Sequence, residues 1–303
     1  VAQGKFGGGQ GIPSNPYLIE DVSDLNAIRF SPGSHYKLAT SINLGILPYN
    51  TDKGWLPIKD FTGTLDGNNK KIYNLYINRP TKDYVGLFET FKQVDDISGV
   101  RVFNLGIERA NIIGKTYAGA LAGALIISQT TGVVPSPYIV DRCYFTGSVQ
   151  VENYGGGIFG AVNWGASSQA AIFSLARDVF VDVSLQPTAA NDKFGAIAGQ
   201  IDNSATKNFV LSYVFSTCSF SNVVGGIPNT ALIPKSYGTL NGTAAWNSAT
   251  VCYYDSTRWP FSATASTTGK TTAALLNERW DDYDQRILDD GTLIWNYSDK
   301  NRY

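Results

Sequence analysis

Asp141 and Asp178 each stand beside an arginine inside an apolar run, in Ile139-Val140-Asp141-Arg142-Cys143-Tyr144 and Leu175-Ala176-Arg177-Asp178-Val179-Phe180. Two carboxyl groups held at a fixed separation can cleave a glycosidic bond, one as acid and the other as base or nucleophile. With Arg177 beside them, and Asp182 following, Asp141 and Asp178 form the best constellation in the chain for polysaccharide hydrolysis or elimination. Other chemistries have fewer means. Ser-His-Asp or Cys-His catalysis would have to use His35, the single histidine. It stands at a strand start, in Ser34-His35-Tyr36-Lys37, and no G-x-S-x-G nucleophile motif occurs. One His and three scattered cysteines, Cys143, Cys218 and Cys252, do not make a zinc site. Asp95-Asp96 and Asp281-Asp282 lack EF-hand spacing and read as turn or loop acids. Gly7-Gly8-Gly9-Gln10-Gly11 has neither the GKS/T ending of a phosphate loop nor a strand before it. The expectation is a protein without catalytic residues, metal or cofactor, with Asp141, Asp178 and Arg177 as the residues to examine if it were an enzyme.

Binding needs only a surface. Tyr253, Tyr254, Trp259 and Phe261 crowd one late segment, and Trp259-Pro260-Phe261 breaks the strand pattern between Ser and Thr residues. Aromatic faces of this kind stack on sugars or anchor a protein partner. Tyr84, Tyr117 and Tyr154 recur beside a glycine motif and read as the rim of a core.

The elements that would position these residues repeat. Tyr84-Val85-Gly86-Leu87-Phe88, Tyr117-Ala118-Gly119-Ala120-Leu121, Tyr154-Gly155-Gly156-Gly157-Ile158 and Lys193-Phe194-Gly195-Ala196-Ile197 align on Gly86, Gly119, Gly156 and Gly195, at intervals of 33, 37 and 39 residues. A period of that size marks a solenoid whose units bury their apolar faces by stacking. An alternating strand precedes each motif, at Ile72–Ile77, Val102–Ile107, Ile139–Tyr144 and Leu175–Phe180, and a less regular unit runs from Phe209 to Val223. Asn74, Asn104 and Asp141 supply a recurring polar element, read either as a structural ladder at a turn or as a line of ligand groups. Asp66-Gly67 signals a tight turn with Gly67 at positive φ. Val22, Leu25, Ile28 and Phe30 have helical spacing behind Asp21 or Ser23 as N-cap, and Thr271–Trp280 reads as a second helix. These helices would cover the open ends of the stack.

The expected fold is therefore all-β, a right-handed parallel β-helix with short helical caps at both ends. One domain would fill residues 1–303, with an amino-terminal cap and first coil over 1–60, repeated coils over 61–256 and a carboxy-terminal cap over 257–303. Hydrophobic content of 43% with 16% charge supports a core, and 31 Gly, 17 Tyr and 15 Phe suit short strands and turns. A net charge of −1 provides no attraction to nucleic acid or an acidic membrane. The longest apolar stretch, Ala118–Ile127, is too short to span a bilayer. An odd cysteine count leans away from a disulfide framework, and each cysteine reads as a small buried hydrophobe.

The chain resembles the GLUG-motif family of right-handed parallel β-helix proteins. Asn15-Pro16-Tyr17-Leu18-Ile19, Trp55-Leu56-Pro57-Ile58 and Phe61-Thr62-Gly63-Thr64-Leu65-Asp66-Gly67-Asn68 are similar to its opening half. Gly86-Leu87-Phe88 fits the name-giving motif, with Glu89 where that family usually has Gly. Val251–Asp255, Gly269–Thr272 and Trp295 are similar to its closing segment. The resemblance implies a non-enzymatic binding or structural module at a virion surface or in the extracellular space. A bacteriophage capsid decoration, tail or receptor-binding protein is the preferred expectation, because no anchor, long repeat array or export signal is visible. A bacterial adhesin module and a polysaccharide lyase or hydrolase are the alternatives. Expected partners are other virion or surface proteins and host-surface glycan, without nucleic acid or membrane insertion.

Overall fold

The computed structural model describes residues 6–93, 100–128, 138–164, 171–189, 193–201, 207–220, 248–250, 253–255 and 268–270. The chain enters through β1 (Tyr17–Ile19), α1 (Val22–Ala27), β2 (His35–Leu38) and β3 (Ile42–Asn43). A first three-sided coil follows as β4 (Thr64–Tyr73) with β5 (Tyr76–Asn78), then β6 (Tyr84–Val85) and β7 (Phe88–Gln93). The second is β8 (Arg101–Ile113), β9 (Tyr117–Gly119) and β10 (Ala122–Ile127), and the third β11 (Val140–Val151), β12 (Tyr154–Gly156) and β13 (Phe159–Trp164). The fourth is β14 (Ala171–Pro187), β15 (Phe194–Gly195) and β16 (Ala198–Ile201). Then come β17 (Lys207–Ser216), β18 (Ser219–Phe220), β19 (Ser248–Thr250), β20 (Tyr253–Asp255) and β21 (Thr268–Lys270).

Each strand pairs in parallel with its counterpart one coil away. The long face runs β1-β2-β4-β8-β11-β14-β17-β20-β21, and two narrow faces run β6-β9-β12-β15 and β7-β10-β13-β16. The fold is the expected parallel β-solenoid, right-handed as parallel crossovers are. Alternating strands send Val102, Ile107, Ile112, Val140, Phe145, Val149, Val179 and Val183 inward, all fully buried.

β8, β11 and β14 are 13, 12 and 17 residues long, well beyond an ordinary strand, because each turns a corner. At that corner Asn104, Arg142, Asp178 and Tyr213 take φ of 54°, 51°, 53° and 55°. The pairs on either side put the four in one rank. Asp66 and Lys70 pair with Phe103 and Leu105, so Gly67–Asn69 bulge opposite Asn104 alone. The expected tight turn at Asp66-Gly67 is thus a bulge inside β4, and Asn68 and Asn69, not Gly67, carry the positive φ values of 51° and 56°. The short Asp66 side chain supports the bulge by a local bond: Asn68 N donates to Asp66 Oδ1 at 2.8 Å.

At the amino-terminal end Asp21 caps α1, accepting from Asp24 N at 2.9 Å. Leu25 and Ile28 are buried as expected, but Phe30 is 46% exposed. The last turn, Ile28–Phe30, is a 3-10 helix, and its tighter winding carries Phe30 off the apolar face. The glycine run covers the outer edge of β1: Gly7 N donates to Leu18 O at 3.0 Å, and Leu18 N to Gly8 O at 2.9 Å. It blunts an edge strand. The second expected helix, Thr271–Trp280, lies outside the described residues, and α1 is the one α-helix among them.

Gly119, Gly156 and Gly195 are in register, with Gly86 beside Gly119. A Cβ on Gly119 would overlap the Ile158 carbonyl oxygen and sit 2.7 Å from Ala122 O. A second rank, Gly123, Gly160 and Gly199, lies equally close to the neighbouring backbone. Glu89 takes the corresponding place in the first coil, where Ile58 pairs with Phe88. There it meets Lys82 at 2.6 Å and Lys59 at 3.8 Å. Because the obstruction at Gly119 is main chain, Gly119→Leu is expected to destabilise the fold by about 1–3 kcal/mol. Urea denaturation reads this as a lower midpoint, and an unchanged midpoint contradicts the register.

Candidate functional site

The carboxylate–arginine constellation forms on the long face, but not by stacking like on like. Val140 pairs with Ala176 and Asp141 with Arg177, so Arg142 stands opposite Asp178. The order Asp-Arg in β11 meets Arg-Asp in β14, and every charge faces its opposite. Asp141 therefore shares its rank with Phe103 and Arg177, whereas Asn104 shares one with Arg142.

Asp141 is fully buried and takes three guanidinium groups. Arg177 holds it through two bonds, Nε to Oδ1 and Nη2 to Oδ2, each 2.9 Å. Arg101 Nη2 reaches Oδ2 at 2.6 Å and Arg142 Nη1 reaches it at 3.1 Å. Asp178, also fully buried, has its Oδ2 3.6 Å from Arg177 Nε. Two of the arginines lie over aromatic rings, Arg101 over Phe103 at 4.3 Å and Arg177 over Tyr138 at 5.0 Å. Burial pulls the Arg101 guanidinium below its ordinary pKa, with Asp141 opposing. Hydrogen bonds to Asp141 hold Arg177 above its own.

The network continues along the corner. Arg142 Nε donates to Asn104 Oδ1 at 2.6 Å, and Asn104 Nδ2 to Asp66 Oδ1 at 3.1 Å. Asp66 Oδ2 meets Lys37 Nζ at 3.8 Å. Asn104 is thus a rung of a structural ladder spanning four coils. Asn74 belongs to a second corner, with φ of 59°, its amide donating to Asn43 Oδ1 at 2.8 Å. The three polar residues expected in one line fall in three different ranks: Asp141 opposite Phe103, Asn104 opposite Arg142, and Asn74 one residue past the Tyr73–Glu108 pair.

Chemically this arrangement braces charge. A general acid must hold a proton where substrate can reach it. The Asp141 carboxylate accepts from three arginines and has no exposed surface, so a sugar would have to displace a guanidinium to touch it. His35 is engaged elsewhere, Nδ1 2.7 Å from Thr64 Oγ1. Among the described residues no group of His, Cys, Asp and Glu could hold a metal ion. Cys143 and Cys218 are buried free thiols, and burial pushes Cys143 up to about 12.

Of the expected aromatic contacts, Tyr253 and Tyr254 lie on β20, paired with β17 and β21. Trp259 and Phe261, like Cys252, lie outside the described residues. The tyrosines of the glycine motif form a ladder. Tyr84 and Tyr117 have ring centroids 4.8 Å apart and planes 7° apart, Tyr117 and Tyr154 4.6 Å and 9°. Lys193, next in the rank, lies 4.7 Å over the Tyr154 ring. Its place was legible from the glycine spacing. Arg101, by contrast, sits 40 residues from Asp141 and carries no sequence signal linking the two.

No family model matches the chain. Over 165 residues, 51% of its length, it is 34% identical to a halomucin from Haloquadratum walsbyi. Over 126 residues, 40% of its length, it is 35% identical to a provisionally named Gly-rich membrane protein from Evansella cellulosilytica. The matching stretches span 2% and 14% of those proteins. The crystal structure of a provisionally named immunoglobulin A1 protease from Bacteroides ovatus is similar over 94% of both chains, with a TM-score of 0.58 and 18% identity. That likeness shows the fold alone. No helix among the described residues is long and apolar enough to cross a membrane.

Two outcomes follow from this geometry. Asp141→Asn leaves three guanidiniums without their shared anion. The cost is expected at or below the ~3–5 kcal/mol of a broken buried ion pair, since the arginines keep 20–31% exposure; chemical denaturation measures it. Cys143 has a folded-state pKa of about 12, above the ~8.5 of an unfolded cysteine. Its contribution to stability is complete below the unfolded value and is lost as pH rises through the interval to about 12. Alkylation followed by mass spectrometry at pH 8 should therefore leave Cys143 unmodified until denaturant is added.

Proposed function

We propose that this chain is a non-catalytic β-solenoid module of an extracellular assembly, presenting its outer faces to other surface proteins and to host-surface glycan. The observation that carries the reading is the closure of Asp141. Its carboxylate is fully buried among Arg101, Arg142 and Arg177, which suits a brace between coils better than acid–base work. The halomucin and the membrane protein support the extracellular part, since their names belong to the cell exterior and its boundary and their matching stretches are small parts of long chains. The resemblance of Gly86-Leu87-Phe88 and its flanks to GLUG-motif proteins belongs to the same proposal.

Two placements follow from different observations. The named relatives favour a module of a cell-surface protein, as in an adhesin. The free buried thiols Cys143 and Cys218 favour a chain folded in a reducing compartment and assembled onto a bacteriophage surface as capsid decoration, tail or receptor-binding protein. Immunogold labelling of cells and of purified particles separates them.

The test of function is a turnover assay. The folded protein is incubated with a panel of bacterial surface polysaccharides, with and without calcium, while reducing ends and unsaturated products are followed. No turnover is expected, together with retention on particles or host cells that weakens in Trp259→Ala. Turnover that disappears in Asp141→Asn or Asp178→Asn, with melting confirming that the variants fold, would overturn the non-catalytic reading.

A further inference from the structure

Tyr84, Tyr117 and Tyr154 occupy the same position on three successive coils, each half-buried. Parallel pairing fixes their backbones, and the rings stack at 4.8 and 4.6 Å with planes within 9° of parallel. Stacking supports the rim of a core, but a phenol also has redox chemistry that a phenylalanine in the same place would lack. Loss of one electron and the phenolic proton leaves a radical with unpaired density on the carbons ortho to oxygen. Two such radicals held side by side join through those carbons.

We propose that the Tyr84–Tyr117–Tyr154 stack is an oxidative modification site at which neighbouring coils are covalently joined by a dityrosine bond. One ortho carbon–carbon bond forms and two ortho C–H bonds break. Those hydrogens return to the phenol oxygens as the rings regain aromaticity. Overall the pair loses two protons and two electrons. The co-reactant is an oxidant of the peroxide class: hydrogen peroxide takes up two electrons and two protons and leaves as two waters, and peroxodisulfate takes up two electrons and leaves as two sulfates. The rings must tilt toward one another to bond, and all three are half-buried rather than enclosed in the core.

The surroundings rank the two pairs. Lys193 Nζ lies 4.7 Å over the Tyr154 ring and 3.1 Å from its hydroxyl oxygen, to which it donates a hydrogen bond. A cation over the ring and a donor on the oxygen both oppose electron loss. At the other end Asp83 precedes Tyr84 and accepts from Thr116 Oγ1 at 2.6 Å, with Lys115 Nζ 3.9 Å away. A carboxylate beside Tyr84 eases its oxidation. Tyr84–Tyr117 is thus the preferred pair, and because Tyr117 is shared, its use suppresses the second link.

The experiment uses the full chain at high dilution, with a ruthenium polypyridyl photosensitiser and limiting peroxodisulfate. Dityrosine fluorescence and peptide mass spectrometry read the product. Expected is an intramolecular Tyr84–Tyr117 link, lighter by two hydrogens, whose formation raises the melting temperature. Tyr117→Phe keeps the stacked ring and should abolish the link; Lys193→Gln should raise the share of Tyr117–Tyr154. Absence of the link in the folded protein would overturn the proposal, as would equal yield in Tyr117→Phe or in urea. An unchanged share in Lys193→Gln would overturn the ranking of the pairs.

Discussion

Parallel hydrogen bonding between successive coils sets each residue directly over its counterpart, at the roughly 4.8 Å separation of neighbouring strands. Everything distinctive in this chain answers that constraint. Where two faces meet closely the only tolerated side chain is a hydrogen atom, so Gly119, Gly123, Gly156 and Gly160 stand against main-chain atoms of the adjoining coil. Where aromatic rings repeat they stack nearly parallel, as Tyr84, Tyr117 and Tyr154 do. Glu89 escapes the glycine rule because the coil before it contributes Ile58 and Lys59 there, and the lysine supplies a counter-charge.

Charge is the hardest thing to stack, since identical residues in register repel. The Asp141-Arg142 and Arg177-Asp178 pairs solve this by inverting their order between coils, which converts two repulsions into two attractions. Arg101, from the coil before, completes the shell around Asp141. The corner that holds this network is itself costly: a non-glycine residue in the left-handed region costs roughly 1–2 kcal/mol, and Asn104, Arg142, Asp178 and Tyr213 all occupy it. Bonds along the corner, from Arg142 to Asn104 and from Asn104 to Asp66, offset part of that cost. A buried ionic network of this kind favours one register over its neighbours, because a one-residue slip would set Asp on Asp.

A scaffold of this sort leaves its outward positions free to vary, since the stack is held by inward side chains and by main chain. The amino-terminal end is the exception. There Gly7 and Gly8 bond across the edge of β1, and α1 with the 3-10 turn after it buries Leu25 and Ile28. The cap removes an open strand edge that would otherwise recruit other chains.

The solenoid, its period, the glycine rank and the Asp21-capped helix were legible in the sequence, because each depends on a local pattern or a repeated spacing. The pairing of Lys193 with the tyrosine rank was legible for the same reason. The partners of Asp141 were not. Asp141 and Asp178 looked equivalent because both sit beside an arginine, yet the unbroken pairing of β11 with β14 sets Asp141 against Arg177, and one residue of register decides whether a carboxylate meets a carboxylate or a guanidinium. The same inter-coil pairing puts Asn74, Asn104 and Asp141 in separate ranks. Likewise, Asp66-Gly67 carries the signal of a turn, but pairing on both sides made it a bulge. Local spacing determined that coils would stack; hydrogen bonding between residues some 35 to 40 positions apart decided which side chains would meet, and that second choice separates an exposed acid pair from a buried brace.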